Sequence, residues 1–353
     1  MSADRPRIHL IAPAGSCRAF VKDLGLASAE KLIALVQTLA GPKFSVCGDA
    51  ALIEAEENER RGGRDDDQRR AEDLQRALSD DAVAAIVSLR GGAWFTRVLP
   101  RVDFTVLERR KRPVTVFGFS ELTTLVNIVA SYRNGRGVYD MGPAFLKYGL
   151  RRHAAKRAAG REACQSDSDS ADGASSAGLV AEVGNFFNDV VSIIEGRGSA
   201  RLLRARALSA DLPPRFDAAF AGGNLTVLST LIGSCYSGWL GPAGRWLVLE
   251  DFNDRLERID RFLAHLTLAR IWEQCAGILL GDFHNGDRDL TDEVIRLLPR
   301  HVPDGLLLPV MTAAGVGHVW PMSPLPLHLP VTFTRREEAW YSLEWPAGAL
   351  RAT

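Results

Sequence analysis

Ser120 sits in the run Val114-Thr-Val-Phe-Gly-Phe-Ser-Glu-Leu-Thr123, where a β-branched apolar stretch meets Gly118 and then a helical pattern. A serine at a sharp strand-to-helix turn holds its hydroxyl above the carboxyl edge of a sheet. Nearby amides at the helix N-terminus carry partial positive charge that favours an oxyanion. That is nucleophile-elbow geometry, although Leu122 stands where G-x-S-x-G has its second glycine. The competing assignment is that Ser120 simply caps the helix. A serine hydroxyl attacks a carbonyl only when a base takes its proton and an acid orients that base, so the choice turns on its partners.

Seven histidines are available: His9, His153, His265, His284, His301, His318 and His328. His9 falls inside a strand-like run and reads as structural; His153 lies on a basic stretch and His265 on a charged helix. His318 follows Ala313-Ala-Gly-Val-Gly317, a glycine-bearing loop after the apolar run 306–311. That suits a base, and equally suits exposed polar surface. For the acid, Trp246-Leu-Val-Leu-Glu250-Asp251 ends an apolar strand on two carboxylates; the alternative for Glu250 is a cap on the next helix. Arg90-Gly91-Gly92 follows another strand, so its amides can lie at the same carboxyl edge, the ligand crevice of open α/β sheets. Neither this turn nor Gly222-Gly-Asn-Leu-Thr226 fits a dinucleotide or P-loop fingerprint. The five cysteines are scattered, without C-x-x-C spacing, and H-E-x-x-H is absent, so no metal cage or disulfide framework is expected.

The elements needed to hold these residues alternate along the first half. Strands are expected at 7–12, 44–47, 84–89 and 113–119, and helices at 27–39, 65–78 and 122–132, the second of these charged on most faces and read as exposed. This alternation predicts an N-terminal flavodoxin-like parallel sheet over 1–150. Residues 151–180 form a polar linker, basic and then Ser/Asp/Gly/Ala-rich, with almost nothing to bury, read as a mobile solvated loop, with a lid over an active site as the alternative. A C-terminal mixed α/β domain is expected over 181–353, with a helix at 186–194, strands at 246–249 and 276–280, and an amphipathic helix at 254–272.

Lys+Arg and Asp+Glu each number 43, so the chain lacks the basic footprint of a nucleic-acid binder and a polybasic membrane anchor. A 46% hydrophobic and 24% charged composition excludes wholesale disorder. The early charges and the short apolar run at 8–12 do not make a signal peptide. No later run reaches the roughly 18 uncharged apolar residues of a membrane span. The expectation is a cytoplasmic protein with no nucleic-acid or membrane partner.

Together these segments resemble the LD-carboxypeptidase family of serine peptidases, which includes the microcin C immunity peptidases. The matching stretches are Ile11-Ala-Pro-Ala-Gly, Ser88-Leu-Arg-Gly-Gly with Arg97-Val-Leu-Pro and Asp103, Gly118-Phe-Ser-Glu-Leu-Thr and Gly142-Pro143. In the second half they are Gly222-Gly-Asn-Leu-Thr, Leu249-Glu-Asp, Arg258-Ile-Asp-Arg, Gly277-Ile-Leu-Leu-Gly-Asp-Phe and Gly317-His318. The resemblance implies Ser120 as nucleophile, His318 as general base and then acid, and Glu250 as the acid holding the imidazole. It implies an oxyanion hole from the backbone N–H groups of Gly92 and Glu121, no metal or organic cofactor, and a homodimer. Family members cut the bond between an L-centre and a terminal D-amino acid in cytoplasmic murein peptides during cell-wall recycling. The microcin branch instead releases an aminoacyl group from a peptidyl or aminoacyl adenylate analogue.

This chain departs from the family at Ala93-Trp94 (family Tyr-Gly), at Glu121 (family Asp), at Leu325-Pro-Leu-His328 and in the longer 151–178 insert. Trp94 either stacks on an aromatic ligand group or packs the domain interface; Arg90 and Arg97 are candidates for a substrate carboxylate. The expectation is a serine carboxypeptidase acting on a small peptide. The alternatives are a microcin-type amide substrate, or a non-catalytic peptide-binding module on the same scaffold.

Overall fold

The computed structural model describes residues 5–55, 64–152, 175–199, 203–209, 212–345, 348 and 350. Most of the expected polar linker, together with His153, therefore lies outside the described residues.

In the first half, β1 (Arg7–Ile11), β2 (Ser45–Gly48), β3 (Val83–Ser88), β4 (Val114–Gly118) and β5 (Gly135–Tyr139) are all parallel. Their order, β2–β1–β3–β4–β5, is that of a flavodoxin-like sheet, as expected from the alternating pattern. Every residue of β3 and β4 is buried, which is why these strands read as continuous apolar runs rather than alternating ones. On the flanking helix Ala29–Ala40, Ala29, Leu32, Val36 and Ala40 are buried at helical spacing.

The helix Arg64–Ser79 departs from its expected exposure. It buries Ala71, Leu74, Ala77 and Leu78, and with them Asp67, Arg70 and Asp73. Each buried charge has a partner: Asp67 pairs with Arg97 at 3.1 Å, Asp73 with His9 at 3.0 Å, and the Arg70 guanidinium donates to the Ala12 carbonyl. Pairing is what makes burial of such groups tolerable, and composition alone does not reveal it.

The second half supplies β6 (Arg204–Ala207), β7 (Arg215–Asn224), β8 (Trp246–Phe252), β9 (Gly277–Asn285), β10 (Arg288–Asp289), β11 (Val310–Thr312), β12 (Leu325–Pro326), β13 (Pro330–Arg335) and β14 (Trp340–Glu344). The mixed sheet runs β10–β9–β11–β6–β14–β13–β7–β8, and β8 also pairs with β9, closing seven strands into a ring. The apolar run 306–311 becomes strand only from Val310. The amphipathic helix is Leu256–Leu268, burying Ile259, Leu263 and Leu266.

The two units interlock. The helix Ser176–Ile194, longer than expected, packs against Ala29–Ala40 of the first unit. By length and apolar content it could cross a membrane, but half of its most apolar stretch is buried within the protein. Strand β12 returns to pair antiparallel with β5, Leu325 opposite Tyr139. Asn127, on the helix Thr123–Ala130, exchanges two hydrogen bonds of 2.9 Å with Gly222 of β7: its side-chain amide donates to the carbonyl, and the Gly222 N–H donates back.

Candidate active site

The carboxyl ends of β1, β3 and β4 open into a cleft of about 520 Å³ whose wall includes Ala14, Arg90, Gly92, Trp94, Ser120 and His318. This is the crevice expected at the point where strand order reverses. Ser120 follows β4 at the start of a 3-10 turn, Ser120–Leu122, with φ +58°. A non-glycine residue in the left-handed region is strained, and such strain marks functional turns. The cap position of this turn falls on Phe119 and that of the following helix on Leu122, not on Ser120. Its Oγ lies 3.0 Å from His318 Nε2 instead.

His318 Nδ1 lies 2.8 Å from Glu250 Oε2. A carboxylate only accepts, so Nδ1–H donates to Glu250 and Nε2 is left to accept from the Ser120 hydroxyl. The ring is fixed by aromatic neighbours, stacked on Phe252 at 4.7 Å and flanked by Phe119 at 4.9 Å and Phe145 at 5.2 Å. Gly317, at φ +121°, leaves room for the pair: a Cβ there would stand 2.7 Å from Glu250 Oε2. Glu250 is therefore a strand residue of β8 aimed at the imidazole, not a helix cap.

Glu250 is 0% exposed. Burial alone pushes its carboxyl up, but the neighbouring His318 and hydrogen bonds from His318, Tyr139 and Asn224 outweigh that and hold it below the usual range. The next residue, Asp251, shows the opposite balance. Burial, with the Glu250 charge beside it, raises it to about 7 despite two hydrogen bonds from Thr226. One charge, on Glu250, is thus favoured at this point of the core.

Two contributors were not singled out by the sequence. Tyr139, at the end of β5, donates its hydroxyl proton to Glu250 Oε1 at 2.7 Å and accepts the Ser120 N–H at 3.2 Å. It therefore ties the Ser120 backbone to the Glu250 carboxylate. Burial and the Glu250 charge hold its phenol protonated, well above the usual tyrosine range. Asn224, within the glycine turn that ends β7, donates to the same Oε1 at 3.1 Å and caps the helix Leu225–Leu231 through Val227 N–H. The only sequence signal was the turn itself.

The remaining candidates divide. Gly92 adopts φ +140° and packs so tightly that a Cβ would stand 2.3 Å from the Ala14 carbonyl, while Ala93 N–H donates to that carbonyl at 3.1 Å. Trp94, at φ +75°, lines the cleft with the Arg97 guanidinium 4.7 Å from its ring centre. Arg90 reaches the cleft, but its guanidinium donates to the carbonyls of Ser16 at 2.7 Å and Gly91 at 3.2 Å. The Glu121 carboxylate accepts from Phe95 N–H at 2.9 Å, fixing the segment after Trp94; burial raises its carboxyl above the usual range. Away from the cleft, Asp282, His284 and Asp289 come within 4.8 Å of one another, where the Arg152 guanidinium already contacts His284 Nδ1.

Residues 8–139 match the LD-carboxypeptidase N-terminal domain and residues 217–333 the LD-carboxypeptidase C-terminal domain. A protein of Bacillus subtilis (strain 168) named a probable murein peptide carboxypeptidase is 26% identical over 224 residues, covering 63% of this chain and 59% of the relative. The murein tetrapeptide carboxypeptidase of Pseudomonas aeruginosa is 29% identical over 216 residues, 61% of each chain. The chain thus spans about three fifths of the length of these curated relatives. The crystal structure of an MccF-like protein from Bacillus anthracis str. Ames shares the fold, with a TM-score of 0.66 at 17% identity over 98% of both chains. On these matches to both of its halves, the chain belongs to the LD-carboxypeptidase family.

Proposed function

We propose that this protein is a serine carboxypeptidase that hydrolyses the amide bond between an L-configured residue and the terminal D-amino acid of a murein tetrapeptide. The observation that carries the reading is the row Ser120 Oγ–His318 Nε2–Nδ1–Glu250, with separations of 3.0 and 2.8 Å, at the wall of the cleft. Ser120 Oγ attacks the substrate carbonyl carbon as its proton passes to His318 Nε2. Glu250 stabilises the resulting imidazolium and keeps the ring in place. The backbone N–H groups of Gly92 and Glu121 hold the developing oxyanion, each donor worth ~2.7–4 kcal/mol of barrier. His318 then protonates the departing amine as the C–N bond breaks. Water, deprotonated by the same nitrogen, cleaves the acyl-enzyme and returns Ser120 to its starting state.

A second reading keeps this chemistry and changes the substrate to an aminoacyl-nucleotide amide of the microcin type. Trp94 favours it, because an indole on the cleft wall, polarised by Arg97, offers a face for a base; such stacking is worth ~1–3 kcal/mol. Turnover of a murein tetrapeptide and of an aminoacyl sulfamoyl adenylate, measured with the wild type and with Trp94→Ala, separates the two. The first reading predicts faster tetrapeptide turnover, little changed by Trp94→Ala. Preferential adenylate turnover, with KM raised roughly tenfold by Trp94→Ala, establishes the second. No turnover of either rejects both and leaves the scaffold as a binding module.

A further inference from the structure

A second row of three polar side chains lies in the first unit, apart from the cleft. Cys47 is on the edge strand β2, directly opposite His9 of β1 in the parallel register. Its Sγ lies 3.3 Å from His9 Nδ1, and His9 Nε2 lies 3.0 Å from Asp73 Oδ1 on the helix Arg64–Ser79. The same carboxylate oxygen accepts from the Arg76 guanidinium at 3.2 Å. Cys47 is half-buried on this edge strand, and its sulfur also lies 3.9 Å from the Ile8 carbonyl oxygen.

Burial alone pulls the His9 imidazole down, but Asp73 and Cys47 together outweigh it and raise it to about 9. His9 is therefore an imidazolium at neutral pH. A thiol beside an imidazolium is the arrangement that makes cysteines nucleophilic. Two of the other described cysteines give the contrast. Cys275 is buried and pushed up to about 12 by burial, with the Glu273 charge adding to it, whereas Cys235 is simply exposed.

We propose that Cys47 is a peroxide-reactive thiol, with His9 as its proton partner and Asp73 holding the ring, and that small hydroperoxides are its co-reactants. The Cys47 sulfur attacks one peroxide oxygen; the S–O bond forms as the O–O bond breaks, and the thiol proton passes to His9 as His9 gives its own to the departing oxygen. The departing hydroxide or alkoxide takes the proton from His9 and leaves as water or an alcohol. The sulfur is oxidised by two electrons to a sulfenic acid, and the peroxide is reduced by two. This is the first and reversible step of cysteine oxidation.

The test is made within one molecule. The full chain is exposed to stoichiometric hydrogen peroxide, trapped with dimedone and mapped by peptide mass spectrometry. Cys47 is expected to be labelled at least about tenfold faster than the more exposed Cys235, because proton partnership, not exposure, sets the rate. Labelling of Cys235 at an equal or greater rate overturns the proposal. His9→Gln is expected to slow Cys47 by about tenfold with Cys235 unchanged as the internal reference; an unchanged Cys47 rate removes His9 from the account. If His9→Gln unfolds the chain, buried Cys275 becomes labelled, and the wild-type ratio then decides alone.

Discussion

Ser120–His318–Glu250 and Cys47–His9–Asp73 are the same motif in physical terms: a proton-bearing nucleophile, an imidazole and a buried carboxylate in line. Their surroundings differ. The serine row draws on both units, Ser120 and His318 being 198 residues apart, and opens on a cleft beside the backbone of Gly92. The cysteine row is built within the first unit, from two paired strands and a helix, with Cys47 and His9 38 residues apart and none of the three lining that cleft. A proton relay makes an atom reactive; a hydrolase also needs space for a substrate and donors aimed at the developing charge. The first row lines that cleft and the second does not, so we propose amide hydrolysis for one and reaction with small peroxides for the other.

The comparison can be sharpened by weakening the supports of each row in turn. Glu250→Gln removes the charge facing His318, and kcat is expected to fall about 10⁴-fold, as when a triad acid loses its charge. Tyr139→Phe removes one hydrogen bond to that carboxylate and leaves the cleft wall intact. A loss of 10–100-fold is expected, roughly the value of a hydrogen bond to a charged group. Steady-state kinetics should place it in kcat with KM unchanged, since Tyr139 is buried and lies behind the site; a KM effect would make it a substrate contact. In the other row, His9→Gln should leave hydrolysis unaltered and change stability with pH. A folded-state value near 9, above the ordinary 6.5, means that His9 contributes stability fully below pH 6.5 and loses it as pH rises through about 9. The gap in Tm between wild type and His9→Gln should therefore be wider at pH 6 than at pH 10. A gap independent of pH would break the assignment of His9 as a charged partner.

What could be read from the sequence follows the range of the forces involved. Strand β4, Gly118 and Ser120 form one local turn, and a local turn is written in consecutive residues. Glu250 and His318 could be nominated from an apolar run and a glycine loop, and the resemblance to a family chose between their alternatives. Tyr139 and Asn224 could not be nominated, because their roles arise from the register of β5 and from where β7 ends beside β8. The helix Arg64–Ser79 was misjudged for a related reason: its buried charges are satisfied by Arg97, Ala12 and His9, distant in sequence. Nothing local marks His9, because its two partners, Cys47 and Asp73, sit on other elements.

The central claim is that Ser120 is the atom through which an amide bond is broken. It is tested most directly by measuring D-alanine released from a murein tetrapeptide by the wild type and by Ser120→Ala at matched folded concentrations. The account predicts release by the wild type and a fall of at least ~10⁴-fold in the variant. Release by Ser120→Ala at a rate close to the wild type would contradict it.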